Sequence, residues 1–199
     1  MGIILASKSP RRSELLTKCG LEYTIAVPSF DEDEYIRQNT SANTPVEDFP
    51  LILAKGKAIA ASKIVESGES DVILSADTSV ILGNVIMGKP KDRADAFQML
   101  NSLQGNTHTV VTGVALLYQK NGKYELCCDK AITKVTMQKL TSDEINEYIE
   151  SEQVYDKAGA YAIQGRSDFF IDGICGSYSN VVGLPMGLVR KLLKEIDYI

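Results

Sequence analysis

The sequence has no tryptophan, a single histidine and four cysteines among its 199 residues. The cysteines Cys19, Cys127, Cys128 and Cys175 show no CxxC spacing, and one histidine leaves a zinc site with too few ligands. We therefore expect four reduced thiols and no structural zinc. The lone His108 lies in an alternating, strand-like stretch, so we expect a packed or surface residue rather than a catalytic base.

Long apolar runs and an excess of positive charge are also missing. No apolar run approaches the roughly 20 residues that span a bilayer, and the N-terminus does not resemble a signal peptide. The net charge of −5 argues against a general nucleic-acid or membrane-surface binder, because such proteins neutralise phosphates with a basic excess. We expect a cytoplasmic protein with neither nucleic acid nor membrane as partner. The length and the 44% of hydrophobic residues fit a single domain over residues 1–199.

The most informative segment that is present is LASKSPRRSELL at 5–16, where a strand passes into a helix. Ser9 can cap this helix, and Pro10 fits its first position, where a missing N–H costs nothing. The free amides of a helix N-terminus favour anions, and Arg11 and Arg12 add donors suited to phosphate oxygens. The segment predicts a phosphorylated small-molecule ligand, although a capped surface helix with two solvated arginines would show the same residues.

Apolar spacing predicts a mixed order of helices and strands. Helices are expected at 10–19, 46–65, 92–103, from Ser142 onward and at 185–196. Strands are expected at 2–6, 22–27 and 72–76, in hairpins at 81–87 and at 108–118 with 124–137, and in short pieces with loops over 158–179. Residues 30–34 form an expected acidic loop. The pattern predicts an α/β fold with a mixed, twisted sheet flanked by helices.

A partial match to a nucleotide-binding P-loop begins at Gly83 and ends at Lys89. Its eighth position is Pro90, which has neither a hydroxyl for a metal ion nor a backbone N–H. We therefore interpret this stretch as a hairpin. A lysine beside a proline at a strand end can point into a cleft, so Lys89 is either a ligand-binding residue or an ordinary solvated lysine.

Asp77 follows the apolar strand at 72–76, where open α/β sheets normally hold their ligands. Such an aspartate is either a turn former or a catalytic acid. With Glu32 or a neighbouring acid, Asp77 could bind Mg²⁺ through hard oxygen ligands. Lys57, Lys89 and the two arginines could neutralise a polyphosphate. These residue types suit cleavage of a phosphoanhydride.

The chain closely resembles the Maf proteins, nucleoside triphosphate pyrophosphatases that share a fold with inosine triphosphate pyrophosphatases. The resemblance rests on blocks in the same order: LASKSPRR at 5–12, AKGKA at 54–58, SADT at 75–78, GKP at 88–90, THTVVTGV at 107–114 and DKAGAYAIQG at 156–165. It implies hydrolysis of a nucleoside triphosphate to the monophosphate and pyrophosphate with Mg²⁺ or Mn²⁺. It also implies a cytoplasmic homodimer.

The same resemblance implies a role for individual residues. Asp77 would be the proton acceptor, and Arg12, Thr78 and Gln164 would govern substrate choice. The phosphate-binding residues would be Ser9, Arg11, Arg12, Lys57 and Lys89. Glu32 and Asp77 would hold the metal.

Two assignments remain open in the sequence. Lys55 competes with Lys57, which we prefer because it directly precedes Ala58 as in the family pattern. Asp31, Asp33 and Glu34 compete with Glu32, which is favoured by its register with the preceding strand.

The stretch at 158–165 is similar to the subgroup that acts on dTTP and UTP, and the Gln164 amide could read the donor and acceptor of a uracil or thymine edge. A 7-methyl-GTP pyrophosphatase is the alternative enzyme. A nucleotide-binding regulator of septum formation is the alternative outside catalysis.

Overall fold

The fold is a mixed sheet with helices on both faces. The computed structural model describes residues 2–65, 71–166 and 170–199. The strands within them are β1 Ile3–Leu5, β2 Tyr23–Ile25, β3 Val72–Leu82, β4 Val85–Met87, β5 Thr107–Lys120, β6 Lys123–Met137 and β7 Ile171–Cys175. They form a seven-stranded sheet of order β2-β1-β3-β5-β6-β7, with β4 paired to β3.

The described α-helices connect and cover these strands. They are α1 Pro10–Lys18, α2 Glu32–Asn39, α3 Phe49–Ser62, α4 Arg93–Leu103, α5 Ser142–Ser151, α6 Tyr178–Val182 and α7 Met186–Glu195. Short 3₁₀ turns occupy Val46–Asp48 and Ala158–Ala160. Among the described residues, no helix is long and apolar enough to cross a membrane.

The sheet changes from parallel to antiparallel at β3. Strands β2 and β3 both run parallel to β1, whereas β5 pairs antiparallel with β3 and then with β6. The predicted βαβ opening, both hairpins and the mixed sheet are therefore confirmed. The long β5–β6 hairpin turns at Asn121 and Gly122, which both have positive φ, as the predicted tight turn requires.

Three apolar clusters hold the layers together. The alanine-rich face of α3 packs against one face of the sheet through Ala54, Ala58 and Ala61. Helices α1 and α7 cover the opposite face around Leu16 and Leu192. A separate cluster joins α4, α5 and the ends of the long strands. Small side chains on α3 allow this helix to lie close to the sheet.

Two predictions about local structure are wrong. The apolar pattern ends at Ala76, but β3 continues to Leu82 and pairs with β5 as far as Ile81, so Asp77 lies within the strand. Backbone hydrogen bonds between β3 and β5 do not depend on side-chain polarity, so the strand continues through the polar residues that begin at Asp77. The acidic run is not a loop either, because Asp31 caps α2 by accepting a hydrogen bond from Glu34 N. Acidic residues in a first turn stabilise the positive end of a helix dipole.

Other boundaries differ by less. The helix expected at 46–65 is the 3₁₀ turn followed by α3, which ends at Ser62. Ser9 occupies the N-cap position of α1, although its side chain makes no capping hydrogen bond. The region 158–179 contains short elements as predicted, and its residues 167–169 lie outside the described residues.

Candidate active site

A lysine between two carboxylates forms the centre of the site. Lys57 Nζ donates to Asp77 Oδ1 at 2.5 Å and lies 2.8 Å from Glu32 Oε1. These residues come from α3, β3 and the first turn of α2. The side chains of Lys57 and Asp77 are only 15% and 13% exposed, whereas Glu32 is 53% exposed and lies toward solvent. The pair is therefore desolvated on the strand side and open on the Glu32 side.

Glycines allow these elements to approach one another. Gly113 on β5 is the register partner of Asp77, and any Cβ at this position would overlap the backbone of Leu51 at the start of α3. Gly56 lies beside Lys57, and a Cβ there would come within 2.5 Å of Phe30 Cζ. The close contact at Gly113 brings α3 onto the sheet. The contact at Gly56 brings the Phe30 segment, which leads into α2, onto α3.

Arg12 forms a second, rigid part of the site. Its Nε donates to Gly183 O at 2.8 Å, its Nη1 to Ser7 Oγ at 3.1 Å and its Nη2 to Thr78 Oγ1 at 3.2 Å. Three of the five guanidinium N–H groups are thus engaged by protein, and two remain for a ligand. The predicted specificity residues Arg12 and Thr78 are in direct contact.

Burial changes the proton affinities of both charged groups. Desolvation raises the pKa of Asp77 above its ordinary value, and the positive charges of Lys57 and Arg12 oppose that rise. Desolvation lowers the pKa of Arg12, with Asp77 acting in the opposite direction. A carboxylate with a raised pKa is better matched to proton acceptance than a solvated aspartate.

Arg11 lies apart from Arg12 in its contacts. Its Nη1 is 3.4 Å from Asp156 Oδ2, and the other carboxylate oxygen of Asp156 accepts from Lys157 Nζ at 2.8 Å. This ion pair links α1 to the segment that leads into residues 158–165. Arg11 is half-buried and keeps most of its N–H groups available.

The structure brings only some of the predicted phosphate-binding residues into contact. Of the two competing lysines, Lys57 contacts Asp77 directly. Ser9 is half-buried and Lys89 is exposed, and within the described ranges neither side chain makes a hydrogen bond or an ion pair. Both side chains are therefore uncommitted.

Gln164 lies on an irregular segment that is anchored by its neighbours. Gly159 N donates to Gly88 O at 3.0 Å, which ties the segment to the residue before Lys89. Tyr161 OH lies 2.6 Å from His108 Nε2 in the core. In the part of the chain that the structure describes, the half-buried Gln164 side chain has no hydrogen-bond partner. The amide is thus held on an anchored segment without being used by the protein.

His108 is a packed core residue, one of the two alternatives that the sequence left open. It is 1% exposed, and burial lowers its pKa to about 4. It is therefore neutral at physiological pH. It lies away from the Asp77 cluster along β5, because the register partner of Asp77 is Gly113, whereas His108 pairs with Val135 of β6. The free state of all four cysteines also agrees with expectation.

Sequence reasoning missed Ser7, Gly183 and Thr112 around Arg12 and Thr78. Ser7 lies within the first motif, so its nearness to Arg12 could have been suggested. Gly183 is 171 residues from Arg12 along the chain, and nothing local in the sequence links the two. Thr112 is likewise paired to Thr78 only by the β3–β5 register.

The donor set fits a divalent cation held together with a substrate. Glu32 and Asp77 converge on one ammonium group, which shows that both carboxylates can reach a common cation. No cluster of three or more possible metal-binding side chains occurs among residues 2–65, 71–166 and 170–199. Mg²⁺ commonly uses one or two carboxylates and completes its shell with water and substrate phosphates.

Comparison with known proteins identifies the family of this chain. The model of the family described as "Maf-like protein" matches residues 2–196. A dTTP/UTP pyrophosphatase of Clostridium botulinum (strain Hall) is 41% identical over 194 residues, which cover 98% of this chain and 96% of that protein. A dTTP/UTP pyrophosphatase of Clostridium botulinum (strain Alaska E43) is 40% identical over 196 residues, covering 98% and 99%. The chain therefore belongs to the Maf family.

Proposed function

We propose that this protein is a nucleoside triphosphate pyrophosphatase that converts dTTP and UTP to the monophosphate and pyrophosphate. The observation that carries the proposal is the desolvated Asp77–Lys57 pair beside the fixed guanidinium of Arg12. It combines a proton acceptor with the positive charge that a polyphosphate needs. Relatives named dTTP/UTP pyrophosphatase, at 40% and 41% identity over nearly the whole chain, support the choice of substrate.

The proposed chemistry is attack of water at the α-phosphorus. The new bond joins the water oxygen to that phosphorus, the bond to the bridging oxygen breaks, and pyrophosphate leaves with the bonding electrons. Asp77 takes the proton of the attacking water. Its Oδ1 is held by Lys57, and Oδ2 has no partner among the described residues, so Oδ2 is the atom available for the proton.

Phosphate positioning falls to the cationic residues. Arg12 offers two free N–H groups, and Arg11 offers several more near the N-terminus of α1. Ser9 and Lys89 have uncommitted side chains, and Lys57 can exchange its carboxylate partners for phosphate oxygens. Positioning and charge neutralisation supply most of the catalysis in phosphoryl transfer.

Glu32 and Asp77 are the residues that would hold Mg²⁺ or Mn²⁺. A divalent cation there would neutralise charge on the triphosphate and favour departure of pyrophosphate. The open, Glu32 side of the cluster leaves room for substrate oxygens beside the carboxylates. Lys57 holds the two carboxylates together until then.

Gln164 is proposed to read the base. Its amide carries both donors and acceptors and is not committed to the protein, so it can pair with a pyrimidine edge that presents N3–H beside a carbonyl. The anchored segment fixes the position of this amide, which favours a selective over a general nucleotide site.

The test is a panel of nucleoside triphosphates assayed separately for pyrophosphate and orthophosphate, with and without Mg²⁺ or Mn²⁺. We expect metal-dependent pyrophosphate release from dTTP and UTP and little from CTP. Release from 7-methyl-GTP alone would retain the chemistry and overturn the base assignment. Orthophosphate alone would place the attack at another phosphorus. No product from any nucleotide would leave a binding protein without turnover.

A further inference from the structure

We infer that Thr112 is a positioning residue. Its hydroxyl fixes the direction of the hydrogen bonds around Thr78 and thereby the position of the Arg12 guanidinium that meets the substrate. This role rests on the proposed pyrophosphatase function and on the part in substrate choice that the resemblance to the Maf proteins implies for Arg12 and Thr78. Thr112 is completely buried in β5, directly opposite Thr78 in β3.

The contacts form a chain. Thr78 Oγ1 lies 2.9 Å from Thr112 Oγ1, and Thr112 Oγ1 lies 3.1 Å from the carbonyl oxygen of Asn180. At the other end, Arg12 Nη2 donates to Thr78 Oγ1 at 3.2 Å. Four residues from α1, β3, β5 and α6 are thus connected through two hydroxyl groups.

The direction of this chain follows from the number of protons. A carbonyl oxygen only accepts, and a guanidinium only donates. Thr112 has one hydroxyl hydrogen, which it donates to the Asn180 carbonyl oxygen. Thr78 must then donate its hydroxyl hydrogen to Thr112 Oγ1, while Thr78 Oγ1 accepts from Arg12. The alternative acceptor for Thr78, the carbonyl of Gly183, is farther away at 3.4 Å.

The direction of these hydrogen bonds limits what the Thr78 hydroxyl can offer a ligand. Its proton is committed to a buried partner, so the half-buried hydroxyl presents only a lone pair to the cleft. A substrate group that contacts it must therefore be a donor, and a carbonyl or phosphate oxygen at that point is disfavoured. A buried threonine that never touches the substrate thereby sets a donor requirement.

Asn180 keeps the end of the chain rigid. Its side chain is fully buried, and Nδ2 donates to Val110 O at 3.0 Å and to Thr133 Oγ1 at 2.9 Å. The same short helix ends at Gly183, whose carbonyl accepts from Arg12 Nε. Helix α6 therefore holds both ends of this chain of hydrogen bonds, one through Thr112 and one through Arg12.

The experiment compares Thr112→Val with Thr112→Ser. Valine keeps the branched shape and removes the hydroxyl, whereas serine keeps the hydroxyl. We expect Thr112→Val to change the ratio of kcat/KM between dTTP and CTP by about fivefold or more, the value of one lost hydrogen bond. Thr112→Ser should restore the ratio to near that of the unmodified protein. The dissociation constant of a non-hydrolysable α,β-methylene dUTP, measured by calorimetry, should rise with valine and recover with serine.

Thr107→Val is the matched control. It lies on the same strand and removes a comparable contact, the hydrogen bond of 2.8 Å with Thr136, at an exposed position. It should change neither the ratio nor the dissociation constant. In a Thr78→Val background, Thr112→Val should add no further change in selectivity, because the chain of hydrogen bonds has already been cut.

A lower melting temperature for Thr112→Val with an unchanged ratio and unchanged dissociation constant would overturn the inference and leave a purely structural threonine. Additive effects of the two valine substitutions would overturn it as well. Absence of pyrophosphate release by the unmodified protein would instead count against the proposed function, and the analogue-binding comparison would still decide the role of Thr112.

Discussion

Lys57 Nζ is 2.5 Å from Asp77 Oδ1, in a pair that is almost withdrawn from solvent. The same nitrogen holds Glu32 at 2.8 Å, so one ammonium group joins the strand to the first turn of α2. A proton acceptor and two potential metal-binding carboxylates thus lie around a lysine side chain that can move away from them.

Replacing Asp77 by asparagine should reduce kcat by about 10²–10⁴ and leave nucleotide affinity nearly unchanged, because the amide has similar shape but cannot accept the proton. Steady-state kinetics and binding of α,β-methylene dUTP measure the two effects. Asp129→Asn, which removes a half-exposed carboxylate paired with Lys191, is the control and should turn over normally. Unchanged kcat in Asp77→Asn would remove Asp77 from the mechanism.

Replacing Lys57 by methionine should strengthen metal binding while it weakens catalysis. The two carboxylates lose a charged partner worth roughly 1.5–3 kcal/mol, so Mn²⁺ should bind the free protein about tenfold more tightly. Electron paramagnetic resonance titration of Mn²⁺ measures this directly. Lys55→Met, on the same helix two residues away, should leave the metal affinity as it was. Weaker metal binding by Lys57→Met would contradict the shared-carboxylate interpretation.

The pH profile of the same variant should move in a defined direction. Burial already raises the pKa of Asp77, and Lys57 opposes that rise. A base must be deprotonated, so activity should fall on the acid side at a pH above the ordinary aspartate range. Loss of the Lys57 charge should shift this acid limb of kcat/KM to still higher pH. An acid limb that moves to lower pH in Lys57→Met would show that another group is being titrated.

Gln164→Ala should alter the preference among bases more than it slows the best substrate. The amide is the uncommitted donor and acceptor on the anchored segment, whereas the phosphates are met by other residues. Ratios of kcat/KM for dTTP, UTP and CTP provide the measurement, with the exposed Gln98→Ala as control. Equal losses on all nucleotides would assign Gln164 to catalysis or folding instead.

Gly113→Ala should push α3 away from the sheet. Its Cβ would overlap the Leu51 backbone, and overpacking of this kind costs about 1–3 kcal/mol. Lys57 would move with the helix, so activity should fall in the fraction that remains folded. Chemical denaturation and kinetics are the measurements. Gly187→Ala meets no atom within 4 Å in helix α7 and should be neutral or slightly stabilising.

Stability should fall as the pH is lowered through the range in which His108 titrates. Its pKa is about 4 in the folded protein and 6.5 ordinarily, so the unfolded chain binds the extra proton first. The neutral ring costs nothing above pH 6.5, and the penalty grows below it to about 3 kcal/mol when complete below pH 4. Urea unfolding at pH 7 and pH 5 should show roughly 2 kcal/mol of this loss. His108→Gln should remove that part of the slope, and an identical slope in both proteins would contradict the assignment.

Much of the local structure follows from short-range signals in the sequence. These signals are the spacing of apolar residues, Pro10 at the first turn of α1, the Asp92 cap and the Asn121–Gly122 turn. Each acts within a few residues, and each corresponding element is present. The motif blocks also identified the family and the residues proposed for chemistry. Local signals failed at Asp77, which is both a residue within β3 and a side chain of the site. Its polarity suggested the end of a strand that in fact continues to Leu82.

Which of those residues come into contact depends on how the elements pack. The choice of Lys57 as the partner of Asp77 depends on how closely α3 approaches the sheet at Gly113, and the position of Glu32 depends on packing of Phe30 against Gly56. Thr112 reaches Thr78 through strand register, and Gly183 reaches Arg12 across most of the chain. Contacts between distant segments depend on the packing of whole elements, and a local pattern in one segment carries no information about the distance to another.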